Sequence, residues 1–190
     1  MITFDEQQRV FHLKNKEISY LFSVEEGNIL SHLYFGPAIR SYHGERQYPR
    51  VDRGFSGNLP GSMDRTYSKD DLLQEYSGNN TGDYRVPAII IKAENGSRLT
   101  DFRYKSYKIL PGKPKLAGLP ASYVKSDKEA ETLEVTLVDE TIGAQLILSY
   151  TIYNERPVIT RNARLVNTSN QKLRIEKIAS MQLDLTKHDY

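Results

Sequence analysis

The stretch 67–87, YSKDDLLQEYSGNNTGDYRVP, carries Asp70, Asp71, Glu75 and Asp83 beside Arg85. Carboxyls do acid–base work and can attack an anomeric carbon. Cleaving a glycosidic bond takes two of them flanking the bond, about 5–5.5 Å apart for retention and farther apart for inversion. Asp70 and Asp71 are adjacent, and successive residues of an extended segment point to opposite faces, so these two would not converge. With no clean period to gather them, the carboxylates read first as solvated loop charges or caps, and second as a binding loop.

Other chemistry finds less support. His12, His32, His43 and His188 show no metal-ligand spacing, and the chain has no cysteine, so no metal and no thiolate chemistry is expected. GKPKLAGLP (112–120) lacks the Gly-Lys-Ser/Thr ending of a phosphate loop and reads as a turn-rich connection. No G-x-S-x-G elbow is present. Tryptophan is absent, which leaves the 13 tyrosines as the main flat platforms for a sugar ring. At period two in strands, tyrosine is more often sheet packing. No cofactor is expected.

The elements that position these residues are strands. In ISYLFSV, Ile18, Tyr20, Phe22 and Val24 share one face, with Ser19 and Ser23 on the other. Gly27-Asn28 breaks the run and ILSHLYF (29–35) resumes it, which predicts a hairpin. AIIIKAE (88–94), Asn95-Gly96 and LTDFRYKSYKIL (99–110) predict a second hairpin. TLEVTLVD (132–139), AQLILSYTIY (144–153), VITRNARLV (158–166) and LRIEKIASMQLDL (173–185) predict further strands. Helix is confined to a short turn near 69–76, where Leu72, Leu73 and Tyr76 would share a face. The pattern predicts an all-β antiparallel sandwich with one long irregular region, 36–86. Loops of that length in a compact domain are usually functional or disordered, and the Arg, Tyr, Pro and Gly content here predicts an ordered, exposed one.

Composition is that of an ordinary globular chain: 38% hydrophobic, 26% charged, formal net charge +2. That balance gives no reason to expect nucleic acid or an anionic membrane as a partner. No signal peptide or apolar run long enough to span a membrane is evident, so a cytoplasmic location is expected.

Four blocks carry a resemblance: DRGFSGN (52–58), DRTYSKDDLLQEYSGNNTGDYRVPA (64–88), YKILPGKPKLAGLPASY (107–123) and EAETLEVTLVDETIGAQLILSYTIYNE (129–155). Together with RIEKIASMQLDL (174–185), they resemble the N-terminal region of bacterial α-galactosidases of glycoside hydrolase family 36. The family more often has a proline where Leu73 stands and a phenylalanine where Tyr84 stands; both changes are conservative.

The resemblance implies a large antiparallel supersandwich, followed in the family by a (β/α)8 barrel and a smaller C-terminal β domain. It implies retaining hydrolysis of terminal α-galactosides such as melibiose and raffinose by two barrel aspartates. On this reading residues 1–190 are the N-terminal domain, the barrel and its aspartates lie outside the chain, and the chain alone is inactive. It also implies a homotetramer in which an N-terminal loop reaches the active-site mouth of a neighbour. By position, the sugar-facing candidates are Asp52, Arg53, Phe55, Asn58 and Arg65. The bland alternative is that these charges pair with each other and order the loop. A stand-alone carbohydrate-binding sandwich is the rival function; an enzyme complete in these residues is disfavoured by the carboxylate geometry.

Overall fold

The computed structural model describes residues 1–185 apart from 45, 47, 53–57, 60, 61, 80, 81 and 119. Among the described residues, ten strands form three antiparallel sheets. The first sheet is β1 (Ile2–Asp5), β2 (Val10–Lys14), β3 (Ile18–Glu25) and β4 (Ile29–Pro37), in chain order. The second pairs β5 (Ile89–Lys92) with β10 (Arg174–Ile178). The third is β6 (Arg103–Pro111), β7 (Ala130–Asp139), β8 (Ala144–Tyr153) and β9 (Ile159–Asn167), again in chain order.

The two four-stranded sheets pack face to face as a sandwich. Phe11, Leu13, Tyr20 and Phe22 come from one layer, and Leu133, Val135, Leu146, Leu148 and Tyr150 from the other. Ile89 and Ile91 of β5 enter the same core. An aromatic column crosses the interface: Phe11 to Phe22 at 4.9 Å, then Phe22 to Tyr150 at 4.9 Å. Each such side chain contributes roughly 1.5–3 kcal/mol of burial. In β4 the register slips at Leu33, and both His32 and Phe35 then contact the Tyr20 ring, at 5.1 and 5.7 Å.

The β3–β4 hairpin forms as its pattern predicts, with Gly27 and Asn28 in the left-handed region (φ 70° and 60°). The second predicted hairpin does not form. Asn95-Gly96 does make a tight turn, with Gly96 at φ 86° and Ala93 N donating to Ser97 O at 2.8 Å. Beyond it the chain leaves the sheet: β5 pairs with β10, and β6 pairs with β7. The reason is burial. The inward Ile89 and Ile91 are covered from another part of the chain, while β6 is an edge strand, largely exposed along its length. The long strand predicted over 173–185 is regular only through Ile178; at 69–76 a 3₁₀ turn covers Lys69–Asp71 and the chain is extended from Leu72.

Burial on the back of the first sheet also departs from the alternating pattern. Ser19, Leu21 and Ser23 are all fully buried, because Ile39 and residues 73–75 fold onto the first sheet. Ser19 Oγ lies 2.9 Å from His12 Nε2 and accepts from Ile39 N at 3.0 Å. Burial first, then the Lys14 cation and the terminal ammonium, lower the His12 pKa from 6.5 to about 4. Between those values the unfolded chain binds a proton that the folded chain refuses, so stability rises with pH across the window. We expect the urea midpoint to hold above pH 6.5 and to fall as pH drops toward about 4. His12→Gln should flatten that slope; an equally steep profile in the variant would count against His12 as its source.

Candidate functional site

Three polar hubs hold the described residues of the region between β4 and β5. At the first hub, Glu25 is buried at the end of β3. It accepts from Arg46 Nε at 2.6 Å, from Tyr48 Oη at 3.2 Å and from Ser23 Oγ at short range. Arg46 also donates to Gln8 O at 2.6 Å, tying the loop to the β1–β2 turn.

At the second hub, Arg50 lies over the Tyr67 ring at 4.7 Å and the Tyr48 ring at 5.6 Å. It donates to Asp64 at 3.0 Å and to Glu26 at 3.4 Å. Beneath it Tyr67, Leu59, Leu72 and Ile29 form a small apolar cluster. Burial pushes the Tyr67 phenol well up, with Tyr48 and the nearby carboxylates adding to the effect. Asp64 accepts from Thr66 N at 2.8 Å and from Thr66 Oγ1 at 2.6 Å, and these bonds hold its carboxyl below the usual range.

Of the positions singled out above, Asp52, Asn58 and Arg65 are described. Asp52 and Arg65 pair at 3.1 Å, with 59% and 56% of their side chains exposed. Asn58 is exposed, its amide donating to Ser62 O at 3.4 Å. Arg53 and Phe55 lie outside the described residues. The structure thus brings Asp52 and Arg65 together on an accessible rim, in the ion pair that the bland reading of these charges expects. An exposed pair is worth little in stability and remains open to a sugar hydroxyl.

The third hub corrects the reading of the opening carboxylates. Glu75 is not a solvated loop charge; it is 0% exposed, in the core. Residues 73–75 stitch onto β4, with His32 N donating to Leu73 O at 2.6 Å and Glu75 N to Leu30 O at 3.2 Å, which aims the Glu75 side chain inward. Its carboxylate accepts from Tyr20 Oη at 2.7 and 2.8 Å and from Tyr150 Oη at 3.0 Å. Arg161 Nη2 pairs with it at 2.7 Å, and His32 Nδ1 lies 3.4 Å away. Burial, reinforced by the Glu75 charge, pushes the Tyr20 and Tyr150 phenols well above their ordinary value. Burial alone would disfavour the Arg161 cation, but Glu75 and the phenol oxygens outweigh it and hold the guanidinium more firmly charged than usual.

Asp83 is likewise buried, accepting from Gln74 Nε2 at 2.6 Å and Arg85 Nε at 2.8 Å. Asp70 is exposed and Asp71 half-buried. A sealed Glu75 cannot meet a substrate, and it and Asp83 are both spent on structure. Nothing in the local sequence separates Glu75 from a surface glutamate, because its partners come from β3, β4, β8 and β9. Among the described residues no group of three or more His, Asp or Glu could hold a metal ion, and no helix is long and apolar enough to cross a membrane.

Residues 28–190 match the model of the glycosyl hydrolase family 36 N-terminal domain. The chain is 50% identical over 190 residues to alpha-galactosidase 1 of Pediococcus pentosaceus, covering all of this chain and 26% of that protein. It superposes with a TM-score of 0.89 and 43% identity on the crystal structure of alpha-galactosidase AgaB from Geobacillus stearothermophilus, covering 96% of this chain and 25% of the other. A variant of AgaA from the same organism, crystallised with raffinose, superposes with a TM-score of 0.87 at 45% identity, over 92% of this chain and 24% of that one. The chain spans about a quarter of the length of these relatives.

Proposed function

The chain belongs to glycosyl hydrolase family 36, within its N-terminal domain, and from that premise we propose that it is the non-catalytic β-sandwich of a retaining α-galactosidase. The barrel that carries the chemistry and the C-terminal β domain lie outside these residues. The domain supports the barrel and the assembly of a homotetramer. Its outer loop presents Asp52, Arg53, Phe55, Asn58 and Arg65 to α-galactosides of the melibiose and raffinose type, at the active-site mouth of a neighbouring subunit.

The observation that carries this reading is the contrast within one region. Glu75 and Asp83 are buried among donors, while Asp52 and Arg65 form an exposed pair flanked in the chain by Arg50 and Tyr67, which lie over each other. An arginine fork and a carboxylate together donate to and accept from adjacent hydroxyls, and an aromatic ring covers the apolar face of a sugar.

The test uses the full-length enzyme. Arg65→Ala and Phe55→Ala are expected to raise KM for raffinose about tenfold each, the equivalent of one or two lost contacts, with a smaller change in kcat. Unchanged KM and kcat in both variants would sink the loop's role. Enzymatic turnover of an α-galactoside by the isolated chain would sink the non-catalytic reading.

A further inference from the structure

A groove of about 690 Å³ runs over the outer face of β7, β8 and β9, beneath a strap whose lining residues are 113–117 and 120–122. The register arranges its floor in rows across three strands. Thr132, Thr151 and Thr160 make one row, and Glu134, Ser149 and Asn162 the next. Arg164 follows on β9, beside Ile147. In the first row Thr132 and Thr151 are tied up: their hydroxyls meet at 2.8 Å, and Thr132 donates to Gly112 O at 2.7 Å. Beyond them the face is open. The side chains of Ser149, Thr160, Asn162 and Arg164 make no hydrogen bond or ion pair to any described residue. Glu134 spends one oxygen on Lys108, at 2.8 Å.

The strap is built to stand over this floor. Gly112 turns at φ 68°, and a Cβ there would lie 3.0 Å from Asp127 Cα, so the turn needs glycine. At the other end Tyr153 Oη donates to Ser122 Oγ at 2.9 Å. Pro114, Leu116 and Pro120 make an apolar wall.

We propose that this groove binds an oligosaccharide. A sugar hydroxyl both donates and accepts, so a site for adjacent hydroxyls needs both kinds of partner side by side. Glu134 accepts, Arg164 donates, and Ser149 and Asn162 do both. The proline and leucine wall suits the C–H face of the ring, and the volume falls in the range of small-molecule sites. Lys113, Lys115 and Arg164 would also attract an anion, but the Glu134 carboxylate at the β7 side of the floor suits a neutral polyol better, and phosphate is the rival ligand the test separates. The groove is a site separate from the Asp52–Arg65 loop and does not depend on that loop's role.

The test is an NMR titration of the ¹⁵N-labelled chain with the trisaccharide raffinose. The expected result is saturable shifts at 113–122, 132–134, 149–151 and 160–164. The Kd is expected at about 1–10 mM, as befits a polar site without an aromatic platform. Asn162→Ala and Glu134→Gln each weaken binding at least about fivefold, the loss of one good hydrogen bond. Two variants guard against one failing to fold. Three outcomes overturn the proposal: no saturable shift, shifts confined to 52–65, or shifts at the groove with inorganic phosphate but not with raffinose.

Discussion

Glu75→Gln is expected to destabilise the chain by about 3–5 kcal/mol, the cost of breaking a buried ion pair from one side. The amide keeps the volume of the carboxylate but not its charge. Arg161, 5% exposed, would then face a neutral group, with no other carboxylate among its described partners. With the amide oxygen kept where Tyr150 and Arg161 reach it, the new NH₂ would face Tyr20 Oη, which now donates to the carboxylate and already accepts from Arg161 Nη1. Small domains hold about 5–15 kcal/mol in total, so this one change removes a large share. Urea unfolding followed by circular dichroism measures it. Arg161→Met should cost a similar amount, because it strands the buried carboxylate instead. The double variant Glu75→Leu/Arg161→Met removes both charges and is expected to be less destabilised than the two singles summed. A Glu75→Gln variant within about 1 kcal/mol of the parent would show that the pair is not what locks the 67–87 loop to the sandwich.

Arg85→Ala is expected to cost about 2–4 kcal/mol, from the loss of several charge-assisted bonds at once. The guanidinium gathers three segments. Its Nε donates to Asp83 at 2.8 Å, and its Nη1 pairs closely with Asp184. Its Nη2 reaches the carbonyls of Lys69 at 3.1 Å, Asp70 at 3.3 Å and Leu72 at 2.8 Å, the free end of the 3₁₀ turn. Asp184 in turn accepts from Gln74 N at 2.9 Å, which joins the segment after β10 to the loop. A drop of about 5–15 °C in Tm corresponds to that loss for a chain of this size. Arg85→Lys should recover little, because an ammonium lacks the planar fork that spans two carboxylates and three carbonyls. Faster amide exchange at Leu72 and Gln74 is expected in both variants. Full recovery by lysine would mean that charge alone, and not the fork, does the holding.

Much of the β architecture is legible in the residues. AQLILSYTIY is β8 end to end, and ISYLFSV–GN–ILSHLYF is the β3–β4 hairpin. Alternation at period two is a property of the single strand, so local sequence suffices for it. Partner choice is not local. Asn95-Gly96 specifies a turn, yet the strands on either side of it join different sheets, because pairing follows from which faces become buried.

The candidate site divides in the same way. The blocks around Asp52 and Arg65 mark the loop in the sequence, and the structure adds their pairing, with Arg50 over two tyrosine rings and Glu25 holding Arg46 in the same region. The same stretch of carboxylates that reads as solvated contains two buried ones. A carboxylate's surroundings are decided by residues distant in sequence, and burial becomes tolerable only where they supply the opposite charge and the donors. The sequence by itself determined the strands, the turns and the family resemblance, since each is written in neighbouring residues. Only the tertiary structure decided that Glu75 is a core residue, since Tyr20, Tyr150 and Arg161 meet it only when the two layers close.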